Sequence, residues 1–222
     1  MSGIRTSAGS SLSVTSTKPA TYTEAGFKAI DAQFQKVAEI TDLGEFGRQY
    51  NLVTHNPLDT RRTGKRKGSY NDGSITVPLA RDTGDQGQAV MKAALLSDES
   101  YSYRITLQDG TKFYFSAQCM SFTNTVGGVD SITGHNAQLE IDNDIIEALP
   151  TTFELVYAAD ANGSLIGVPN QTVVMGGFGT PVAAVAASGY VFSKWSDNSV
   201  ANPRTDGPVT ASLSVAAQFT PE

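Results

Sequence analysis

Two histidines and one cysteine are the side chains of this sequence whose chemistry best suits catalysis or metal binding. His55 precedes Asn56-Pro57, a turn-forming pair, while His135 and Cys119 fall in patterns typical of strands. No activating serine or cysteine motif accompanies either histidine. A single cysteine also excludes an intrachain disulfide framework and a cysteine-based zinc cluster. We therefore expect no catalytic site, and we interpret Cys119 as a small buried hydrophobic residue.

Acidic and glycine-rich segments offer no better site for a metal or a cofactor. The acidic residues Glu140, Asp142, Asp144 and Glu147 lack the glycine and the twelfth-position glutamate of a calcium loop, so we interpret them as a solvated edge. The glycines at 176, 177 and 179 do not lie between a strand and a helix, which disfavours a phosphate-binding loop. We expect no metal and no cofactor.

A run of basic residues is the strongest charge feature. The net charge of the chain is −6, yet five of its 16 basic residues lie in this run. They are Arg61, Arg62, Lys65, Arg66 and Lys67. The run could be a solvated loop, a nucleic-acid patch, or a surface that docks on an acidic face of an identical subunit. A nucleic-acid patch is usually interleaved with aromatic residues on a positive domain, whereas this domain is net negative. Complementary charge between copies would set their register.

The composition predicts a mainly β chain. The sequence has 222 residues, of which 40% are hydrophobic and 17% charged, and its 21 glycines with many Thr and Val residues favour strands and turns. No continuous apolar stretch reaches the roughly 18 residues of a membrane span. The start of the sequence has no apolar segment of the kind found in signal peptides, so we expect none.

Local patterns place the elements of the first two thirds of the chain. Thr23 can cap a short helix over 23–32, and Asp82 or Asp85 can cap a better one over 85–96 that buries an apolar stripe. Strands are predicted over 34–41, 46–54, 74–80, 101–107, 111–122 and 131–141, with one helical turn within 143–149. Pro78 predicts that 74–80 is an edge strand or contains a break in its ladder. Residues 1–19 are predicted to be a flexible arm, and 55–71 a long loop.

Near residue 150 the composition changes. Residues 151–222 contain two basic residues, Lys194 and Arg204, and five acidic ones. Short strand-like runs separated by turns recur there, at 153–158, 171–175, 181–186, 190–195 and 211–219, which predicts a small sandwich. We therefore expect two domains, 1–149 and 150–222. Trp195 is interpreted as a core residue, with exposed stacking on a sugar as the alternative.

Two resemblances to known families refine these expectations. The segments KPATY at 18–22, AGF at 25–27, VAEITDLGEFGR at 37–48 and YNLVTHNPL at 50–58 closely resemble the tail tube proteins of long, non-contractile-tailed bacteriophages. The resemblance continues through 67–74, 80–87 and 107–111 and covers about residues 1–148. The segments QTV at 171–173, GTPV at 179–182, GYVF at 189–192, KWSD at 194–197 and NPRTD at 202–206 resemble a bacterial surface repeat with an immunoglobulin-like sandwich.

The first resemblance implies a β-sandwich with a flanking helix that assembles into a tube. In that family six copies form a ring by joining their sheets into a continuous β-barrel, and the rings stack around a tape-measure protein. DNA later passes through the lumen without specific binding, and tail-tip and terminator proteins close the ends. The arm and the long loop contact the adjacent ring, so the five basic residues are candidates for an inter-ring contact. Assembly takes place in the host cytoplasm, and the product is part of the virion.

The second resemblance implies an outward immunoglobulin-like decoration at residues 150–222. An alternative function is a cell-surface or glycan-binding adhesin that uses this module. A hydrolase is disfavoured, because the sequence offers few histidines, no nucleophile motif and no metal cluster.

Overall fold

Strands dominate the computed structural model, which describes residues 6–222. The chain divides into two units, one ending at Leu149 and one formed by Pro150–Glu222. The predicted mainly β class, with a flanking helix in the first unit and an immunoglobulin-like second unit, is confirmed.

The first unit contains a seven-stranded antiparallel sheet and two α-helices. Six of the strands follow the order β2-β1-β6-β7-β8-β5, and β9 pairs with β7. The elements are β1 (Ser11–Thr15), α1 (Glu24–Ala29), β2 (Gln35–Val37), β3 (Gln49–His55), β4 (Gly64–Asn71), β5 (Ser74–Ala80), α2 (Gln86–Leu95), β6 (Tyr101–Thr106), β7 (Lys112–Thr125), β8 (Gly134–Ile141) and β9 (Ile146–Ala148). Pro78 does lie in β5, an end strand of the sheet order, and beyond β5 the pairing continues as an isolated bridge between Ile40 and Leu79.

The predicted flexible arm is wrong for residues 11–15, which form β1 inside the sheet. Leu12 pairs with Val37 on one side and with Ile105 on the other, and Leu12 and Val14 are completely buried. Residues 1–5 of the predicted arm lie outside the described residues. Two alternating apolar side chains are therefore enough to hold this Ser-rich segment in the core, because partners distant in sequence complete the ladder.

Helix α2 packs on the sheet as its cap and apolar stripe predict. Asp85 accepts a hydrogen bond from the Gln88 amide at 2.8 Å, and Met91 and Ala94 are buried in the main core. Gly87 lies against β2, where an added Cβ would stand 2.3 Å from the Lys36 carbonyl oxygen. Only glycine permits this close approach of helix and strand.

Asp31 joins the short helix α1 to the sheet. It lies in a 3₁₀ helix (Asp31–Gln33) that follows α1. Its carboxylate accepts hydrogen bonds from Arg104 Nη1 at 2.7 Å, Lys112 Nζ at 2.8 Å and Tyr114 Oη at 2.7 Å. Tyr114 in turn stacks on Phe27 of α1, with ring centroids 5.3 Å apart. One carboxylate thus organises three residues from two strands.

Two predictions for the first unit, the long loop at 55–71 and the helical turn within 143–149, differ from the structure. The predicted loop at 55–71 ends early, because residues 64–71 form β4 and pair with β3. The helical turn predicted within 143–149 is instead the short strand β9, which pairs with the start of β7. In both cases a neighbouring strand supplies hydrogen bonds that local sequence patterns do not reveal.

The second unit is built from a four-stranded and a two-stranded sheet. The larger sheet has the order β12-β10-β15-β14, with β10 and β15 parallel, and β11 pairs with β13. The strands are β10 (Thr152–Ala159), β11 (Gly163–Ile166), β12 (Asn170–Val174), β13 (Ala183–Ala186), β14 (Tyr190–Trp195) and β15 (Leu213–Pro221). Their core includes Leu155, Tyr157, Val182 and Trp195. The strand β11 was not among the predicted elements.

Candidate assembly surface

The hairpin formed by β3 and β4 is a separate two-stranded sheet with both faces open. Its register pairs Gln49 with Asn71, Thr54 with Lys65 and His55 with Gly64. All seven residues of β3 are exposed, and in β4 only the glycines 64 and 68 are partly covered. An isolated hairpin of this kind is marginally stable in water. It is therefore suited to being stabilised by a partner surface.

The basic run lies along this hairpin. Lys65, Arg66 and Lys67 belong to β4, whereas Arg61 and Arg62 lie in the connection between the two strands, and all five are exposed. Successive residues of a strand point to opposite faces, so both faces of the hairpin carry positive charge. Asp59 is the one acidic residue in the sequence from 49 to 71. The hairpin is thus a basic surface on an acidic chain.

Two tyrosines and two cations stack at the foot of the hairpin. The rings of Tyr50 and Tyr70, on opposite strands, have centroids 5.5 Å apart. The Arg48 guanidinium lies 4.0 Å from the Tyr70 centroid, and Lys67 Nζ lies 4.5 Å from that of Tyr50. Each cation is attracted by the ring face beneath it. Cross-strand pairing of Tyr50 with Tyr70 creates this cluster, which no local pattern in the sequence predicts.

Arg48 also anchors the hairpin to the main sheet. Its Nε donates to Asp72 Oδ1 at 3.0 Å, and its Nη2 forms an ion pair with Asp144. Hydrogen bonding to Asp72 raises the pKa of Arg48 above its ordinary value, so the guanidinium stays charged. Asp72 follows β4 directly and Asp144 precedes β9. Arg48 therefore ties the foot of the hairpin to the residues that follow β4 and precede β9.

The residues first considered for catalysis are not brought together. His55 ends β3, while His135 lies on β8, where its ring packs 4.6 Å from that of Phe122. Burial, and then the charges of Arg81 and Lys92, lower the pKa of His135. Cys119 is buried as predicted, and burial raises the pKa of its thiol, which keeps it protonated and unreactive.

The acidic residues near the end of the first unit are engaged with separate partners. Asp142 accepts from Ser100, Asp144 binds Arg48, and Glu140 accepts from Gln138. Within residues 6–222, no group of histidine, cysteine, aspartate and glutamate side chains is arranged to hold a metal ion. In the same part of the chain, no helix has both the length and the apolar character to span a membrane.

Trp195 lies in the core of the second unit, as predicted, and the sugar-stacking alternative is wrong. Its side chain is completely buried, and its Nε1 donates to the Ala201 carbonyl at 2.8 Å. Arg204, which the sequence analysis noted only as a charge, is 5% exposed and lies 5.1 Å from the Trp195 ring. It binds both Asp197 and Asp206. These contacts give the unit a buried charged cluster rather than an open binding site.

One family model matches the second unit of the chain. Residues 153–222 match the family model of the divergent InlB B-repeat domain, which confirms the resemblance of this region to a bacterial repeat module. No curated protein sequence matches the chain.

Solved structures similar to this chain come from phage-tail-like assemblies. A chain of the anti-feeding prophage baseplate, a six-fold symmetrised cryo-EM structure, shares 11% identity, with 67% of this chain and 98% of that chain covered and a TM-score of 0.51. A chain from the sheath/tube terminator of an extracellular contractile injection system shares 13% identity, with coverages of 63% and 92% and a TM-score of 0.45. A chain of the SPP1 tail tube shares 15% identity, with coverages of 62% and 75% and a TM-score of 0.41. The first of these establishes a shared fold.

Proposed function

We propose that this chain is a structural subunit of a phage tail, which polymerises as stacked hexameric rings into the tail tube. The observation that carries the proposal is the β3–β4 hairpin, whose two faces are exposed and which carries five basic residues against one acidic residue, Asp59. A projecting hairpin of this type gains stability when a neighbouring copy covers it. The fold shared with a chain of a six-fold symmetrised baseplate supports the assignment and the ring size.

The five basic residues Arg61, Arg62, Lys65, Arg66 and Lys67 form the contact between successive rings. Their partner is an acidic face of the same subunit in the next ring, since the chain outside the hairpin carries the negative charge. Opposite charges meeting across the junction would fix the rotation of one ring on the next. The same contact, repeated head to tail, permits open-ended growth.

A tube built in this way serves as the conduit for DNA ejection. The subunit is net negative, so a lumen lined by its acidic surface would not hold phosphates as a cationic one would. DNA passes through without specific binding. The tape-measure protein occupies the lumen during assembly in the host cytoplasm, and tail-tip and terminator proteins close the two ends. The role is structural, without catalysis or a cofactor.

The second unit is an outward decoration in this proposal. It has its own core and matches a bacterial repeat family, so the first unit can build the tube alone. The second candidate function, an adhesin that binds glycan or the cell surface, is favoured by the same match. Binding of residues 150–222 to a glycan array would support it.

Negative-stain electron microscopy tests the proposal directly. The purified full chain is concentrated at low and at high salt, alone and with tail-tip extract, beside a chain that ends at Leu149. Rings or hollow tubes from both chains are expected, and their symmetry can be counted. Monomers under every condition contradict the proposal. If the full chain assembles and the chain that ends at Leu149 does not, the proposal that the second unit is dispensable for the tube is wrong.

A further inference from the structure

A glycine with a positive φ lies at each foot of the hairpin formed by β3 and β4. Gly47, two residues before β3, has φ +142°, and Gly73, two residues after β4, has φ +86°. A Cβ added at Gly73 would stand 3.8 Å from the Gly47 carbonyl oxygen, and one added at Gly47 would have no neighbour within 4 Å. Glycine moves through such backbone conformations without the steric cost that a side chain adds. These two residues, here termed the hinge glycines, are therefore adjacent and sterically free to rotate.

The main part of the first unit fixes the chain on its own side of each hinge glycine. Phe46, the residue before Gly47, packs edge to face on Phe113 of β7, with ring centroids 5.3 Å apart. The Gly73 carbonyl accepts a hydrogen bond from the Ile141 amide at 3.1 Å, at the end of β8. A change in the direction of the hairpin would therefore be concentrated at the glycines, as in other hinges.

The hairpin is held together as one body. It forms a two-stranded sheet of its own, separate from the seven-stranded sheet. The rings of Tyr50 and Tyr70 are in contact across its strands. Further along, Asn51 Nδ2 donates to Ser69 Oγ at 3.0 Å, also across the strands. These cross-strand contacts lie entirely on the hairpin side of the hinge glycines, so they can persist when the hairpin turns.

An ion pair connects the two sides of the hinge. Arg48 and Asp72 are on the hairpin side, and the hydrogen bond between them closes its foot at 3.0 Å. The Arg48 guanidinium also binds Asp144, which precedes β9 in the main part of the unit, and the Tyr70 hydroxyl lies 3.5 Å from the same carboxylate. The Asp144 side chain is 55% exposed, so water and dissolved ions compete for this contact. The Arg48–Asp144 ion pair is here termed the latch.

Open space surrounds the latch. A hollow of about 740 Å³ is lined by residues 44–49 together with Gly73 and Ser74. A second hollow, of about 450 Å³, lies between residues 46–48 and residues 144–146. The foot of the hairpin can therefore turn into existing space without displacing a close-packed core, which would resist deformation.

We propose that the hairpin turns as one body about Gly47 and Gly73, and that the Arg48–Asp144 latch holds it in its present direction. A turn of about 30° would move the far end of β3, a strand of seven residues, by about 12 Å. Release of the latch lets the basic hairpin adjust its direction to a partner surface, whereas the closed latch keeps it fixed. The motion belongs to the single subunit, so this inference does not depend on the proposed function.

Distances between pairs of spin labels test the hinge. The labels are attached to cysteines in a Cys119→Ala chain, and one pair joins the hairpin to β8 through Thr54→Cys and Asn136→Cys. Two control pairs share these positions: Lys36→Cys with Asn136→Cys lies within the main part, and Gln49→Cys with Thr54→Cys lies along β3. All four labelled positions are exposed.

Each pair is measured in three backgrounds. These are the chain with Asp144 intact, the Asp144→Asn variant that breaks the latch, and the matched Asp142→Asn variant. Asp142 is also an exposed carboxylate, but it accepts a hydrogen bond from Ser100 instead of binding Arg48. The chain with Asp144 intact is also measured in about 1 M salt, which screens an exposed ion pair.

Asp144→Asn and high salt are each expected to widen the range of hairpin-to-β8 distances by about 10 Å, whereas Asp142→Asn leaves it narrow. Both control pairs should stay narrow throughout. A narrow range after Asp144→Asn and in high salt overturns the hinge, and a wide range in the intact chain at low salt overturns the latch. Widening of the pair along β3 overturns motion as one body, because it indicates fraying of the hairpin. If Asp144→Asn also widens the pair within the main part, the salt series on the intact chain decides.

Discussion

Arg204 binds Asp197 through two parallel hydrogen bonds, with Nη1 3.2 Å from Oδ1 and Nη2 3.0 Å from Oδ2. The same guanidinium reaches Asp206, which also accepts from the Tyr157 hydroxyl at 2.7 Å. The arginine is almost fully buried beside Trp195, so its charge depends on these two carboxylates for compensation. In a unit of only 73 residues, this cluster joins the β10 and β14 strands to the segment that precedes β15.

Arg204→Met is therefore expected to destabilise the second unit by about 3 kcal/mol, because the partly buried Asp206 and the more exposed Asp197 lose their buried partner. Urea unfolding followed by the fluorescence of Trp195, the sole tryptophan, measures the change. Lys194→Met is the control: Lys194 is exposed and bonds the neutral Asn198, so its loss should change stability by less than about 0.5 kcal/mol. Equal effects of the two substitutions would contradict a structural role for the cluster.

The contacts of Asp31 predict that part of the stability of the first unit is lost in acid. Burial opposes the charged carboxylate, but hydrogen bonds from Lys112, Arg104 and Tyr114 outweigh it and lower the pKa of Asp31 from 3.8 to about 2. A lowered folded-state pKa stabilises the protein above pH 3.8, and this stabilisation is lost as the pH falls towards 2. Because the Asp31 side chain is about one third exposed, solvent screening reduces this contribution to the free energy of unfolding to about 1–2 kcal/mol.

The Asp31→Asn variant should lose that amount of stability at pH 7 and show a shallower decline between pH 4 and pH 2. Urea unfolding of both proteins across this range measures the difference. A variant whose stability falls as steeply with acid as that of the unsubstituted chain contradicts the role given to Asp31.

The burial of β1 predicts that the start of the chain is essential for folding. Leu12→Ala removes a completely buried side chain between β2 and β6, so it should cost about 2–5 kcal/mol. The same substitution at Leu58, which is fully exposed in the hairpin connection, should cost less than about 0.5 kcal/mol. Thermal unfolding compares the two variants, and a tolerated Leu12→Ala would restore the prediction of a flexible arm.

The hairpin charges predict a salt-dependent assembly. Simultaneous replacement of Arg61, Arg62, Lys65, Arg66 and Lys67 by alanine should raise the concentration needed for tube formation at least tenfold at low salt and weaken its salt dependence. The control removes the same number of exposed charges elsewhere, at Lys28, Lys36, Arg81, Lys92 and Lys194. Turbidity and electron microscopy measure assembly. If the two variants assemble alike, the inter-ring role of the hairpin is wrong.

Local patterns in the sequence predicted the elements whose hydrogen bonds and apolar contacts come from near neighbours. The Asp85 cap and an apolar stripe predicted α2, and strand patterns predicted β6 and β7. Trp195 was correctly placed in a core, because a large apolar ring in a strand pattern is rarely left in water. Such features depend on periodicity and side-chain chemistry, which the sequence contains.

Tertiary structure alone decided the features that depend on distant partners. Leu12 is buried because Ile105, 93 positions away, pairs with it, and β4 exists because β3 supplies its ladder. Tyr50 and Tyr70 stack for the same reason, and Arg204 is buried because Asp197, Asp206 and Trp195 surround it. The sequence by itself determined which residues are basic, apolar or turn-forming. Whether those residues become a strand, a core or a surface depended on the long-range pairing that brings their partners to them.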